Sequence, residues 1–194
     1  MKKGEVDRVA DFLYEIGTLR KVARAHRQTL LTDDLSDNIS SHSFRVAMIG
    51  LLLARLEKAD PYKVVVMCLL HDIGEARSGD QNWVHKKYVK VFEEEITKNQ
   101  LSKLPSESEW MTVVSEYNGR KSLESNIAKD ADLIDQTLLL KEYEWRGNKE
   151  AALWLKNSRQ IKMLKTKSGK KVGKVIWRRR PSEWWDNVWT SDRR

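Results

Sequence analysis

A histidine and an aspartate stand side by side, His71 and Asp72, at the end of the apolar run VVVMCLL, and this pair limits what the chain can become. A carboxylate buried in such surroundings costs several kcal/mol unless a cation or hydrogen bonds compensate it. Any fold that keeps this segment inside must therefore bring partners to the pair. Two further polar residues sit in apolar segments in the same way: His42 just before the run FRVAMIGLLLARL, and Asp132 in AKDADLID, beside Asp130 and Asp135. Two imidazoles and two carboxylates make a mixed nitrogen and oxygen donor set, suited to one divalent transition metal such as Mn, Co, Fe, Ni or Zn.

Taken singly, each residue has a plainer reading. A buried histidine is more often satisfied by a backbone carbonyl, and Asp132 can simply pair with a lysine or arginine. Jointly they point to a metal, and four protein ligands leave positions on an octahedral ion for water and a substrate oxygen. Glu75 follows His71 by one helical turn, and Asp80 lies in the loop SGDQ. Either can orient or deprotonate a nucleophile, or protonate a leaving oxygen.

The rest of the chain supplies helices to carry this constellation. Gly and Pro number only 9 and 3 in 194 residues, and most apolar residues recur at intervals of three and four, so an all-α bundle of about six to eight helices in a single domain is expected. The spacing predicts an amphipathic helix from about Val6 to Arg20, weakened at Gly17. The polar stretch LTDDLSDNISS is a loop, with Ser40 or Ser41 as the cap of a helix that starts near His42 and is apolar almost all round from Phe44 to Leu56. Asp60 and Pro61 open a second buried helix, running to near Gly79 with His71 and Asp72 close to its end.

Further helices are predicted over residues 84–100, over LPSESEWMTVVSEYN with Ser106 as its cap, over Leu123–Trp145, and over Lys149–Leu164. Beyond these, KSGKKVGKVIW reads either as a hairpin or as a helix with Val172, Val175 and Ile176 on one face; the helix fits the spacing better. Four of the eight tryptophans, 177, 184, 185 and 189, fall in the terminal segment, too much aromatic surface for a free tail, so that segment is expected to dock on the body.

The lone cysteine, Cys68, lies in an apolar run and excludes an intrachain disulfide, which suits a reducing compartment. No signal-like N-terminus and no run of about 18 uncharged apolar residues is evident, so a cytoplasmic protein without a membrane partner is expected. The formal charge of +8 belongs to the tail: from Lys156 onward 13 Lys and Arg face 3 Asp and Glu. Such a surplus suits an anionic partner, and solubility explains it equally well.

The ordered set SSHSFRVAMIGLLLA, CLLHDIGEARSGD and AKDADLID resembles the HD-domain phosphohydrolases, above all the YfbR-like 5'-deoxynucleotidases, over about residues 6–165. The resemblance divides the chain into an HD domain over 1–165 and a basic, Trp-rich extension over 166–194. It implies His42, His71, Asp72 and Asp132 as ligands of one metal, with Glu75 and Asp80 as catalytic or substrate-orienting groups. It further implies phosphate release from nucleoside 5'-monophosphates, usually deoxy forms, by attack of metal-bound water, and it is compatible with a homodimer. Relatives tend to carry Arg-Trp or Gly-Trp about fourteen residues before the first metal histidine; this chain has Arg27 and Gln28 there, and Arg27 can bind phosphate bidentately.

Trp83 and His85 are further candidates for lining the substrate site. Of the remaining histidines, His26 and His85, only His85 lies between the pair and Asp132, which favours one metal over two. The tail keeps a nucleoside triphosphate open as substrate. A nucleic-acid-binding module using the arginines and tryptophans of the tail is the alternative of another class, although nucleic acid is not the expected partner.

Overall fold

In the computed structural model, which describes residues 3–157, 159–186 and 188, the elements in chain order are α1 (Lys3–Gly17), α2 (Arg27–Leu30), α3 (Ile39–Glu57), α4 (Pro61–Leu70), α5 (Glu75–Ser78), α6 (His85–Tyr88), α7 (Glu93–Leu101), α8 (Glu107–Gly119), α9 (Leu123–Trp145), α10 (Lys149–Lys156), α11 (Arg159–Met163) and α12 (Lys167–Arg178). Four of them, α2, α5, α6 and α11, are single turns of four or five residues, and the other eight are longer. Among the described residues the only strand-like pairing is an isolated antiparallel bridge between Ala23 and Asn38.

α3, α4 and α9 pack on one another, α8 covers α4 and α9, and α10 to α12 lie along α9. The core holds Val46, Leu53, Val64, Met67, Cys68, Ile127 and Ile134, all nearly or wholly buried. α3 and α4 come so close that a Cβ on Gly50 would meet Cys68 Sγ at 2.6 Å. Cys68 fills that contact, and burial pushes its thiol up to about 12. A second cluster, Leu30, Leu140, Tyr143, Ala151 and Leu155, joins α2, α9 and α10.

The helix starts follow local chemistry. Asp60 accepts from the backbone N–H groups of Tyr62 and Lys63, with Pro61 at the first helical position. Ser122 caps α9, whose limits are those the spacing predicts. α3 is capped by Asn38, which accepts from Ser41 N–H, and not by Ser40 or Ser41 as expected. Helix spacing alone cannot identify which of several adjacent cap-forming residues turns first.

Other expectations need correction. α4 stops at Leu70, and residues 71–74 turn before α5, so His71 is the residue that closes the helix and not one within it. The segment 84–100 breaks at residues 89–92, and 149–164 breaks between α10 and α11. α3 is not buried on most sides: Phe44, Met48, Leu52 and Leu56 form an exposed stripe along it. By length and composition α3 would suffice to cross a membrane, but its other face, including His42 and Val46, is built into the core.

The terminal segment forms the helix α12, with Val172 and Ile176 against the main core and Trp177 against the second cluster. Trp184 and Trp185 are exposed, contrary to expectation, and Trp189 lies outside the described residues. The anchor of α12 is Asp130, which is 1% exposed and accepts from Lys165 N–H, Thr166 N–H and Thr166 Oγ1 at 2.7–3.2 Å. Removing a buried acceptor strands its donors. Asp130→Ala is therefore expected to lower unfolding stability by about 3 kcal/mol in a urea titration, and an unchanged midpoint would show that α12 is held by packing alone.

Candidate metal centre

Three helical segments deliver the polar residues that the sequence left stranded in apolar surroundings. His42 comes from the first turns of α3, His71 and Asp72 from the turn after α4, and Asp132 from the middle of α9. His42 Nε2 lies 3.2 Å from His71 Nε2, 3.4 Å from Asp72 Oδ2 and 3.6 Å from Asp132 Oδ1, while His71 Nε2 lies 3.2 Å from Asp72 Oδ2. Donor atoms of His42, His71 and Asp72 all fall within 4.8 Å of one another. Asp132 stands at the edge of this trio, its second oxygen 2.5 Å from Lys129 Nζ.

The far sides of both imidazoles fix which nitrogen carries the proton. His71 Nδ1 is 2.7 Å from the carbonyl oxygen of Cys68, which can only accept, so Nδ1 donates there. His42 Nδ1 is 2.6 Å from Asp135 Oδ2. Burial favours the neutral acid at Asp135, but His42 and Arg45 outweigh it and hold the carboxyl below its usual range, so it too accepts. In the neutral rings both Nε2 lone pairs then face each other and two carboxylates, an arrangement that repels itself unless positive charge sits between. The donor set thus fits a divalent cation, and the hydrogen bonds behind it set the tautomer such ligands need.

Electrostatics agree. Burial works against charge on His42, yet its hydrogen bonds with Asp135 and Asp72 raise it to about 9, a measure of how strongly this pocket attracts positive charge. Asp72 and Asp132 are likewise resisted by burial, but His71 with His42 and Arg24 in one case, and Lys129 with His71 in the other, hold both carboxyls below the ordinary range. Asp135 also binds Arg45, which reaches on to Glu142 at 2.6 Å. Asp135→Asn keeps the shape but weakens the acceptor, and is expected to lower metal affinity about 10- to 100-fold in a chelator competition.

The cluster opens into a cavity of about 810 Å³ whose wall includes His71, Asp72, Glu75, Asp80 and Asp132. The two candidate acid–base residues differ in their surroundings. Glu75 Oε2 is buried with no partner, and burial together with Asp72 and Asp80 raises its carboxyl well above the ordinary range. Asp80 Oδ2 is already engaged, accepting from Ala25 N–H at 2.7 Å and lying 3.6 Å from Arg24 Nε. Asp80 thereby positions Arg24, whose Nη1 is 3.2 Å from Asp72 Oδ2.

The substrate-side candidates divide. Trp83 lines the cavity; Arg27 and His85 do not, and their places on its wall are taken by Arg24 and Lys86. Residues 22–38 lack helical periodicity, so counting back from His42 does not say which arginine faces inward. Sequence reasoning also passed over Arg120, Lys129 and Trp154, which line the cavity. Arg120 lies 3.4 Å over the Tyr117 ring, Tyr117 meets His71 edge-on, and Arg120 Nη1 is buried without a hydrogen-bond partner. The signal for Arg120 in the sequence is slight: NGRK marks only the end of a helix.

The profile of the HD domain family matches residues 16–172. Two curated relatives are the 5'-deoxynucleotidase HDDC2 of Dictyostelium discoideum, 29% identical over 124 residues, and a 5'-deoxynucleotidase of Erwinia tasmaniensis, 27% identical over 149 residues. The alignments take in 57% and 68% of this chain, and 65% and 74% of those proteins. Among solved structures, the PH0347 protein of Pyrococcus horikoshii superposes with a TM-score of 0.73 at 25% identity, over 87% of this chain and 98% of that one. A predicted metal-dependent phosphohydrolase of Magnetospirillum magnetotacticum shares the fold with a TM-score of 0.64 at 24% identity, over 90% of this chain and 94% of that one.

Proposed function

Because the chain belongs to the HD domain family, we propose that it is a metal-dependent phosphohydrolase that releases inorganic phosphate from nucleoside 5'-monophosphates, deoxy forms among them. The observation that carries this reading is the convergence of two Nε2 lone pairs and two carboxylates beside a cavity of about 810 Å³ whose wall includes His71, Asp72 and Asp132, a volume within the range of small-ligand sites. His42, His71, Asp72 and Asp132 would hold one divalent transition ion. Such an ion supplies Lewis acidity, polarising a phosphoryl oxygen and making a nearby water acidic enough to attack phosphorus near neutral pH.

The protein's own groups do the rest. Asp135 and the Cys68 carbonyl keep both imidazoles turned inward. Lys129 and Arg24, beside Asp132 and Asp72, offset the phosphate's charge. Glu75, whose buried Oε2 has no hydrogen-bond partner and whose neutral form is favoured by burial and by Asp72 and Asp80, is suited to give its proton to the leaving 5'-oxygen and to be reprotonated from the attacking water. As water adds to phosphorus, the bond from phosphorus to the 5'-oxygen breaks, leaving a nucleoside and inorganic phosphate.

A nucleoside triphosphate is the second reading, favoured by the cations on the cavity wall that have no carboxylate partner among the described residues: Lys86, Lys98 and Arg120. Ribo- and deoxynucleoside mono-, di- and triphosphates, assayed with several divalent metals, separate the two. Orthophosphate from monophosphates supports the main reading, and tripolyphosphate from triphosphates overturns it. In the same assay Arg120→Ala is expected to raise KM about tenfold, the worth of a charge-assisted hydrogen bond, with kcat within about twofold. An unchanged KM would remove Arg120 from the binding site.

A further inference from the structure

α12 is two-sided in a way composition alone does not reveal. Val172, Ile176 and Trp177 pack inward, and a Cβ on Gly169 would collide with the Asp130 carboxylate, so this helix is seated firmly on the body. Its outer side carries Lys167, Lys170, Lys171, Lys174 and Arg178, all exposed. Their spacing of three, one, three and four places them along one face, over a length of about 16 Å. Among the described residues none of these five has a carboxylate within ion-pair reach, whereas the next two, Arg179 and Arg180, pair with Glu183 and Asp186.

Like charges four residues apart oppose helix formation, and among the described residues the one carboxylate that acts on them from outside the helix is Glu57, which accepts from Ser168 N–H and faces Lys167 at the first turn. No Asp or Glu occurs between Glu150 and Glu183. Solubility is served by interspersed charges of both signs; a one-signed face on a rigid helix is instead complementary to a polyanion. Beyond the helix, Trp184 and Trp185 stand exposed with their rings edge-on at 4.9 Å, and Arg180 lies 6.0 Å over the ring of the exposed Trp145. Exposed indoles beside cations offer unpaired bases a surface to stack on.

We propose that the outer face of α12, with Trp184 and Trp185, binds single-stranded nucleic acid, lysines and Arg178 against phosphates and indoles against bases. No residue of α12 is on the wall of the cavity at the metal centre, so this is a second binding surface, independent of the proposed hydrolysis.

The test is fluorescence anisotropy of the full-length protein with a labelled mixed-sequence single strand of about 20 nucleotides, its duplex, and vesicles containing phosphatidylserine. The single strand should bind at low salt, with log K falling against log salt at a slope near −3. The quadruple variant Lys167→Gln, Lys170→Gln, Lys171→Gln and Lys174→Gln should bind at least about tenfold more weakly and with a flatter slope. Helical content and nucleotide hydrolysis should stay unchanged in that variant. Arg55→Gln with Lys121→Gln, at exposed cations elsewhere, should leave binding intact, and Trp184→Ala with Trp185→Ala should weaken the single strand more than the duplex. Absence of binding at low salt, equal binding by the quadruple variant, or capture of vesicles in preference to oligonucleotides would overturn the proposal.

Discussion

His71→Ala should lose the bound metal and, with it, phosphate release, by about 10³-fold or more in kcat/KM. Nε2 of His71 lies 3.2 Å from both His42 Nε2 and Asp72 Oδ2, so its removal opens the donor trio from the centre. The methyl group left behind cannot compensate the carboxylates of Asp72 and Asp132. The fold should survive, because among the described residues the ring's other hydrogen bond goes to the Cys68 carbonyl, at the end of α4, where helix carbonyls are commonly left open. Metal content by elemental analysis, circular dichroism and product release, measured together, check this. A folded His71→Ala protein that keeps both metal and activity would remove His71 from the centre.

Glu75→Gln has the second largest expected effect and a different signature. The amide preserves size but cannot take up or return a proton, so kcat is expected to fall about 10²- to 10⁴-fold, the usual worth of a positioned acid–base group. Metal content should be unchanged, since Glu75 lies outside the donor trio. Asp80→Asn is the contrast: Asp80 supports Ala25 and Arg24, so its loss should act mainly on KM. Equal kcat for Glu75→Gln and the parent protein would assign the proton transfer to another group or to solvent.

Much of this arrangement was legible in the chain because polar residues in apolar runs are rare and must meet partners. His42, His71, Asp72 and Asp132 each broke an otherwise apolar pattern, and the fold brings all four side chains together. Helix limits were readable where periodicity and a cap coincided, as for Leu123–Trp145 with Ser122. They were misread where a short turn interrupts an apolar pattern without Gly or Pro, as at residues 89–92.

The supporting groups were hidden for other reasons. Asp130, Asp132 and Asp135 are three acids on one helix, and only the fold separates the anchor of α12 from the edge of the donor trio and from the acceptor behind His42. Arg24 and Arg27 lie in a segment with no period to convert spacing into direction. The exposed stripe Phe44, Met48, Leu52 and Leu56 reads as core because an all-round apolar helix carries no sign of which side is left uncovered.

The central claim is most directly tested by diffraction from crystals of the metal-loaded protein, with data collected on both sides of the absorption edge of the ion that elemental analysis identifies. One anomalous peak is expected, about 2.0–2.3 Å from His42 Nε2, His71 Nε2 and the nearer carboxylate oxygens of Asp72 and Asp132. A peak elsewhere in the molecule, or fully active crystals with no peak at these four residues, would contradict it.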